Sequence, residues 1–398
     1  MIKKDRILFF GIKTFPSRGG TDRVAENLIR NLHEDFDITL FCYHDRTEII
    51  HIPNVRVIRF RPFLKGSPGA LLYFFRSALR ALLMDFDLIH VHKTECAIFI
   101  PLLRLRHKVL ATSHEAPYLR DKWNAIQKTY LRIAERFFIK TPHQITSISK
   151  SLSTYYENRY GRKVLFIPNG IQEITSEKFN YEGLKNLLPE DSSPELPFLL
   201  FAARRLMSTK GCHTFLKALH KINYKGQIFI AGENTGHSSY LRYLHKLADG
   251  LDVHFIGFVH PIETMLALLS KCQLFVFPSE TEGMSMMLME AASSGTPVIA
   301  SDIPENRILN NQELLFFKSG SEEDLADKIS YALKHPGLLK EMGMRARKAV
   351  IEKYSWEPIA EQYKEVYLNL IGHPGTNRNT VSSENSTPFS WQWIIKQN

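Results

Sequence analysis

Short apolar runs alternate with longer amphipathic segments along most of the chain, and the alternation comes in two sets. The first set is RILFFGI (6–12), DITLFCY (37–43), VRVIRF (55–60), DLIHVH (87–92), KVLAT (108–112), QITSIS (144–149) and KVLFIP (163–168). Runs this short, rich in β-branched and aromatic residues, predict strands. Between them lie helical patterns such as TDRVAENLIRNL and DKWNAIQKTYLRIAERFFI. The cycle restarts with PFLLFAA (197–203), QIFIAG (227–232), VHFIGF (253–258), QLFVFP (273–278) and PVIAS (297–301). Strands alternating with helices predict parallel sheets covered on both faces. The expectation is an α/β protein of two doubly wound domains facing each other, with no sequence repeat relating them.

Between the sets, NYEGLKNLLPEDSSPELP is rich in Pro, Ser and acid and reads as a linker or surface excursion. Residues 1–170 are expected to form the first domain and 171–355 the second. WEPIAEQYKEVYLNLI (356–371) predicts a helix that crosses back to complete the first domain. The polar stretch after it predicts a disordered tail over 372–398. The final SWQWIIKQN is either an interfacial anchor or a chain-end remnant.

Composition narrows the class. A chain of 398 residues, 44% hydrophobic and 23% charged, is expected to be a soluble two-domain protein. The opening MIKKDRILFFGIK has too short an apolar run for a secretory signal. No run approaches the roughly 18 apolar residues of a membrane span. Cys42, Cys96, Cys212 and Cys272 lie far apart, which argues against a zinc site or disulfide framework and fits a reducing cytosol. Residues 1–170 hold 28 Lys and Arg against 15 Asp and Glu, a net of +13. Such a half is either a solvated basic surface or suited to an anionic partner: nucleic acid, phospholipid headgroups or a phosphorylated substrate.

Candidate chemistry sits where strands hand over to helices, the corners at which open α/β sheets collect ligands. SRGGTD (17–22) follows the first strand, and Gly19 and Gly20 either cradle a phosphate or form an ordinary loop. AARRLMSTKG (202–211) brings Arg204, Arg205 and Lys210 near one strand end, a pattern suited to a diphosphate. SETEGMSMMLMEAASSG (279–295) carries Glu282 and Glu290. Eight residues advance a straight helix by about 800°, so the two side chains would not share a face. With a helix starting near Ser285 as N-cap, Glu282 lies in the loop before it, beside the backbone N–H groups of Gly283, Met284 and Ser285. Two carboxylates there suit a polyhydroxylated ligand. Glu290 has nearly all apolar neighbours, where a carboxylate is costly without a partner. His114, after KVLAT, either contacts a sugar or acceptor or is a packed histidine.

The order of these corners resembles the retaining glycosyltransferases of the GT-B fold, specifically glycosyltransferase family 4. SETEGMSMMLMEAASSGTPVIAS matches that family's E-x7-E signature, and RLMSTKG its R-L-x-x-x-K-G. GGTDRVAENLIRNL, FDLIHVH, ITSISKSLSTYY and FIPNGI extend the likeness over roughly residues 6–371. The resemblance implies two Rossmann-like domains around a cleft and transfer of a sugar from a nucleoside diphosphate, with retention, in cell-surface polysaccharide synthesis. It implies that Glu290 binds the ribose and Glu282 the donor sugar. Arg205 and Lys210 would neutralise the leaving diphosphate, and backbone N–H groups at 283–285 and Gly19–Gly20 would assist. His114 would line the donor–acceptor junction. It implies no metal or other cofactor, and no nucleic-acid partner.

The chain departs from the family where DIPENR replaces a second Gly-rich turn and where Met284 and Ser285 follow Gly283. Those changes leave the donor sugar open. The resemblance also implies a saccharide or lipid-linked saccharide acceptor on the N-terminal domain. RSALRALLMDF and KWNAIQKTYLRIAERFFIK mix basic and aromatic residues; they either lie at a membrane surface, the inner face of the cytoplasmic membrane, or pack in the core. The rival readings are a nucleotide-sugar 2-epimerase on the same fold and an anion- or nucleic-acid-binding protein.

Overall fold

A computed structural model of the chain describes residues 4–373, apart from 18–19, 44–50, 62, 65, 120–122, 174, 190–191, 193–194 and 234–238. Two parallel sheets organise it. The first holds β1 (Arg6–Phe10), β2 (Asp37–Tyr43), β3 (Val55–Phe60), β4 (Leu88–Val91), β5 (Lys108–Ser113), β6 (Gln144–Ser147) and β7 (Leu165–Phe166). Their order is β3-β2-β1-β4-β5-β6-β7. The second holds β8 (Phe198–Arg205), β9 (Gln227–Glu233), β10 (Val253–Gly257), β11 (Leu274–Phe277), β12 (Val298–Ser301) and β13 (Leu315–Phe317). Their order is β10-β9-β8-β11-β12-β13.

The architecture is the doubly wound α/β pair read from the alternation. Central strands are buried on both faces: all four residues of β4, β11 and β12 are buried. That explains why their sequences run apolar without alternating. The helix Trp356–Ile371 returns to the first domain, where Ile359, Tyr363 and Tyr367 pack among Ile7, Phe9 and Leu28. The remainder of the tail from 374 lies outside the described residues.

Two local features differ from the sequence reading. The expected linker opens with a helix, Tyr181–Leu187, because the Asn180 side chain caps it, accepting from the Gly183 N–H at 2.8 Å, and Leu184 is buried. The sixth strand of the second sheet, β13, escaped notice because its three residues are too few to show a period.

Each sheet reverses its winding once, between β1 and β4 and between β8 and β11. Crevices open at the carboxyl ends of strands at such reversals.

Candidate active site

The segments leaving β8 and β11 carry most of the candidate residues and are tied together. The Glu280 N–H donates to the Thr209 carbonyl at 2.9 Å, and the Ser279 hydroxyl oxygen lies 3.4 Å from the same oxygen. Gly211 makes this possible. Its φ is +72°, and a Cβ there would lie 2.0 Å from the Pro278 carbonyl oxygen. Only glycine satisfies both conditions, which gives the Lys-Gly pair its physical reason. Lys210 is thereby seated against the opposite loop, its Nζ 2.6 Å from Glu282 Oε1. Ser279 Oγ donates to that oxygen as well, at 2.8 Å. Arg205 goes elsewhere: its Nε donates to Glu233 Oε2 at 2.8 Å, at the end of β9, and both side chains are half exposed.

The helix Met286–Ser293 begins where the sequence places it, with Ser285 Oγ accepting from the Leu288 N–H. Glu290 on this helix is 3% exposed. Its Oε1 accepts a hydrogen bond from Arg23, on the helix Gly20–Leu32 of the other domain. Its Oε2 has no partner among the described residues. Burial raises the Glu290 pKa, and the Arg23 guanidinium opposes that shift. A buried carboxylate oxygen without a donor is the feature a ligand hydroxyl would satisfy.

The turn DIPENR (302–307) is also built into the cleft. Asn306 Nδ2 donates to Ser301 Oγ at 2.9 Å, and Ser301 Oγ donates to the Ser279 carbonyl. This brace holds Glu305 at the rim, where Ser151 Oγ of the N-terminal domain donates to its Oε1 at 2.5 Å. Burial raises the Glu305 pKa, with the nearby Glu282 acting in the same direction.

The N-terminal domain closes the cleft from the other side. A Cβ on Gly283 would lie 2.2 Å from the His114 carbonyl oxygen, so the two domains touch here. The Met284 carbonyl accepts from Asn169 Nδ2 at 3.3 Å. His114 Nε2 lies 3.3 Å from His92 Nδ1. Burial pushes the His114 imidazole down to about 3, and the charge of Lys93 adds to the effect, so the ring is neutral near pH 7. Gly20 opens its helix, whereas Gly19 lies outside the described residues. Arg23, Asn169 and Glu305 were missed as site residues. All three stand in segments noted for other reasons, but nothing in their spacing places them at an interdomain contact.

Among the described residues no group of three or more His, Cys, Asp or Glu side chains is arranged to hold a metal ion.

Comparison with known proteins shows the family. The Glycosyltransferase Family 4 model matches residues 18–173, and the Glycosyl transferases group 1 model matches 186–349. The chain belongs to glycosyltransferase family 4. A relative within curated proteins is the O-antigen biosynthesis glycosyltransferase WclY of Escherichia coli, 26% identical over 234 residues. That match spans 57% of this chain and 62% of WclY. Solved structures share the fold. The sucrose-phosphate synthase of Thermosynechococcus elongatus superposes with a TM-score of 0.77 at 21% identity, covering 93% of this chain and all of that one. Anabaena HepE, in complex with UDP and glucose, gives 0.73 at 18% identity over 92% of this chain and 100% of HepE. Both share the GT-B fold, with two such parallel-sheet domains.

Proposed function

We propose that the chain transfers a sugar, with retention, from a nucleoside-diphosphate sugar to a saccharide or lipid-linked saccharide in cell-surface polysaccharide synthesis. The observation that carries this reading is the Lys210–Glu282 pair at the β8/β11 crevice, together with the Glu290 oxygen that has no partner among the described residues. Glu290 would accept hydrogen bonds from the ribose, and Glu282 from the donor sugar, assisted by the N–H groups of residues 283–285. In the reaction the acceptor oxygen bonds to the anomeric carbon, the bond from that carbon to the diphosphate breaks, and the hydroxyl proton leaves on the diphosphate. Lys210, with Arg205 at the rim, would meet the charge that develops on the leaving group, so the reading calls for no metal. Arg23 would exchange its contact with Glu290 as ribose arrives. WclY's role in O-antigen biosynthesis and the UDP and glucose bound by HepE support the acceptor and donor classes.

The test is binding of UDP-, GDP- and dTDP-sugars in EDTA. One nucleotide is expected to bind, and Glu290→Ala to weaken it roughly 10–100-fold, the worth of a charge-assisted hydrogen bond. Unchanged affinity would remove Glu290 from the ribose role. Donor turnover with no acceptor present, yielding an epimerised sugar, would favour the 2-epimerase reading.

The same proposal places the enzyme at an anionic membrane face. No described helix is long and apolar enough to cross a membrane. However, Leu71, Phe75, Leu79 and Leu83 recur every fourth residue along and just past the helix Gly66–Leu82, each at least 40% exposed. Ile126, Ile133 and Phe137 form a second exposed stripe on the helix Ala125–Lys140, with Arg132, Arg136 and Lys140 exposed beside them. Gln127 Nε2 donates to Ser67 Oγ at 3.0 Å, joining the two helices at their starts. Apolar side chains interleaved with cations fit an anionic bilayer surface. The chain is expected to sediment with phosphatidylglycerol vesicles and not with phosphatidylcholine vesicles. Leu79→Asp with Ile133→Asp should lower that binding by about tenfold or more. Equal sedimentation of the variant would contradict the membrane reading.

A further inference from the structure

The N-terminal sheet has its own crevice, where the order reverses between β1 and β4, and the donor reading gives its lysines no role. Two lysines stand at its mouth: Lys13, just beyond β1, and Lys93, just beyond β4. Lys93 Nζ lies 2.6 Å from Asp22 Oδ1. Asp22 also accepts from the Thr14 N–H at 3.1 Å and the Thr14 hydroxyl at 3.0 Å, and its other oxygen lies 3.4 Å from the Lys13 N–H. This carboxylate is fully engaged. Lys13 has no carboxylate within ion-pair distance among the described residues, although Asp22 and Glu95 act on it at longer range. Burial, and next the charge of Lys93, lower the Lys13 pKa. A partly buried ammonium with no carboxylate at ion-pair distance is costly, and an incoming anion would relieve the cost.

The surroundings point the same way. Behind the lysines, His92 is 2% exposed and its Nε2 has no partner among the described residues; the same holds for His114 Nδ1. The His114 carbonyl meets Gly283, next to Glu282, so the crevice opens onto the place assigned to the donor sugar. The other element facing this point, the helix Gly20–Leu32, contributes Asp22 and Arg23, and Arg23 is engaged with Glu290.

We propose that Lys13 and Lys93 form an anion subsite for the acceptor, so that the sugar is transferred to a molecule carrying a phosphoryl or carboxylate group close to its reacting hydroxyl. The assignment rests on the β8/β11 crevice being the donor site. It accounts for two lysines at a ligand-collecting reversal, one paired with Asp22 and the other with no carboxylate at ion-pair distance among the described residues.

The test titrates the full chain with glucose, glucose 6-phosphate and glucuronate, with and without saturating nucleotide. Glucose 6-phosphate or glucuronate should bind roughly 10–100-fold tighter than glucose, the range of a charge-assisted hydrogen bond. The stronger of the two names the anion. Lys13→Met should bring that ratio to about one, and Lys13→Arg should restore it, which separates lost charge from lost fold. A wild-type ratio of one, or a ratio unchanged in Lys13→Met, overturns the proposal. Absence of nucleotide binding would sink the donor reading instead, while the ratio without nucleotide still decides the anion subsite.

Discussion

Replacing Lys210 with alanine is expected to lower turnover by roughly 10²–10³-fold, the range for loss of one preorganised group that meets developing charge. Lys210 is three-quarters covered, pinned to Glu282 at 2.6 Å, and fixed in place by the Gly211–Pro278 contact. Its ammonium therefore needs little reorganisation when the diphosphate departs. Because the charge appears in the transition state, the loss should fall on kcat more than on the donor's KM. Lys210→Arg keeps the charge but not the compact ammonium that fits beside Glu282, and should recover only part of the rate. Near-normal turnover in Lys210→Ala would take this residue out of the mechanism.

Gly283→Ala is the second large effect. The added Cβ would sit 2.2 Å from a backbone carbonyl oxygen, that of His114, and a backbone atom has no rotamer by which to yield. Either the loop at 282–285 bends or the two domains part by about 1 Å, and a displacement of that size costs on the order of 10²-fold when catalytic groups must align. The expected result is a fall in kcat/KM of about that size, with scattering in the presence of nucleotide showing a more open particle than the wild type. Wild-type activity in this variant would mean that the Gly283–His114 contact has no part in the working closure.

The local geometry of the corner after β11 was largely legible from spacing. Ser285 caps its helix, so Glu282 falls in the loop and Glu290 on the second turn, as the pattern of polar and apolar residues indicates. The isolation of Glu290 among apolar neighbours was also a sound signal, since it is almost fully enclosed. The cations were read less well. Arg205 and Lys210 stand five positions apart, yet one turns to Glu233 and the other to Glu282, and this division depends on how β9 and β11 flank β8. His114 came from its place after a strand, but its neutral state follows from burial and from Lys93, neither of which adjacency in the chain reveals.

By itself the sequence determined the two sets of parallel strands, the candidate corners and the family, because periodicity and local capping are properties of consecutive residues. Tertiary structure alone decided which corners meet. Arg23 reaches Glu290 across 267 positions, Ser151 reaches Glu305 across 154, and Lys93 reaches Asp22 across 71. Those pairings are set by strand order and by the approach of two domains, and no local pattern encodes a distance between surfaces that come together only when both have folded.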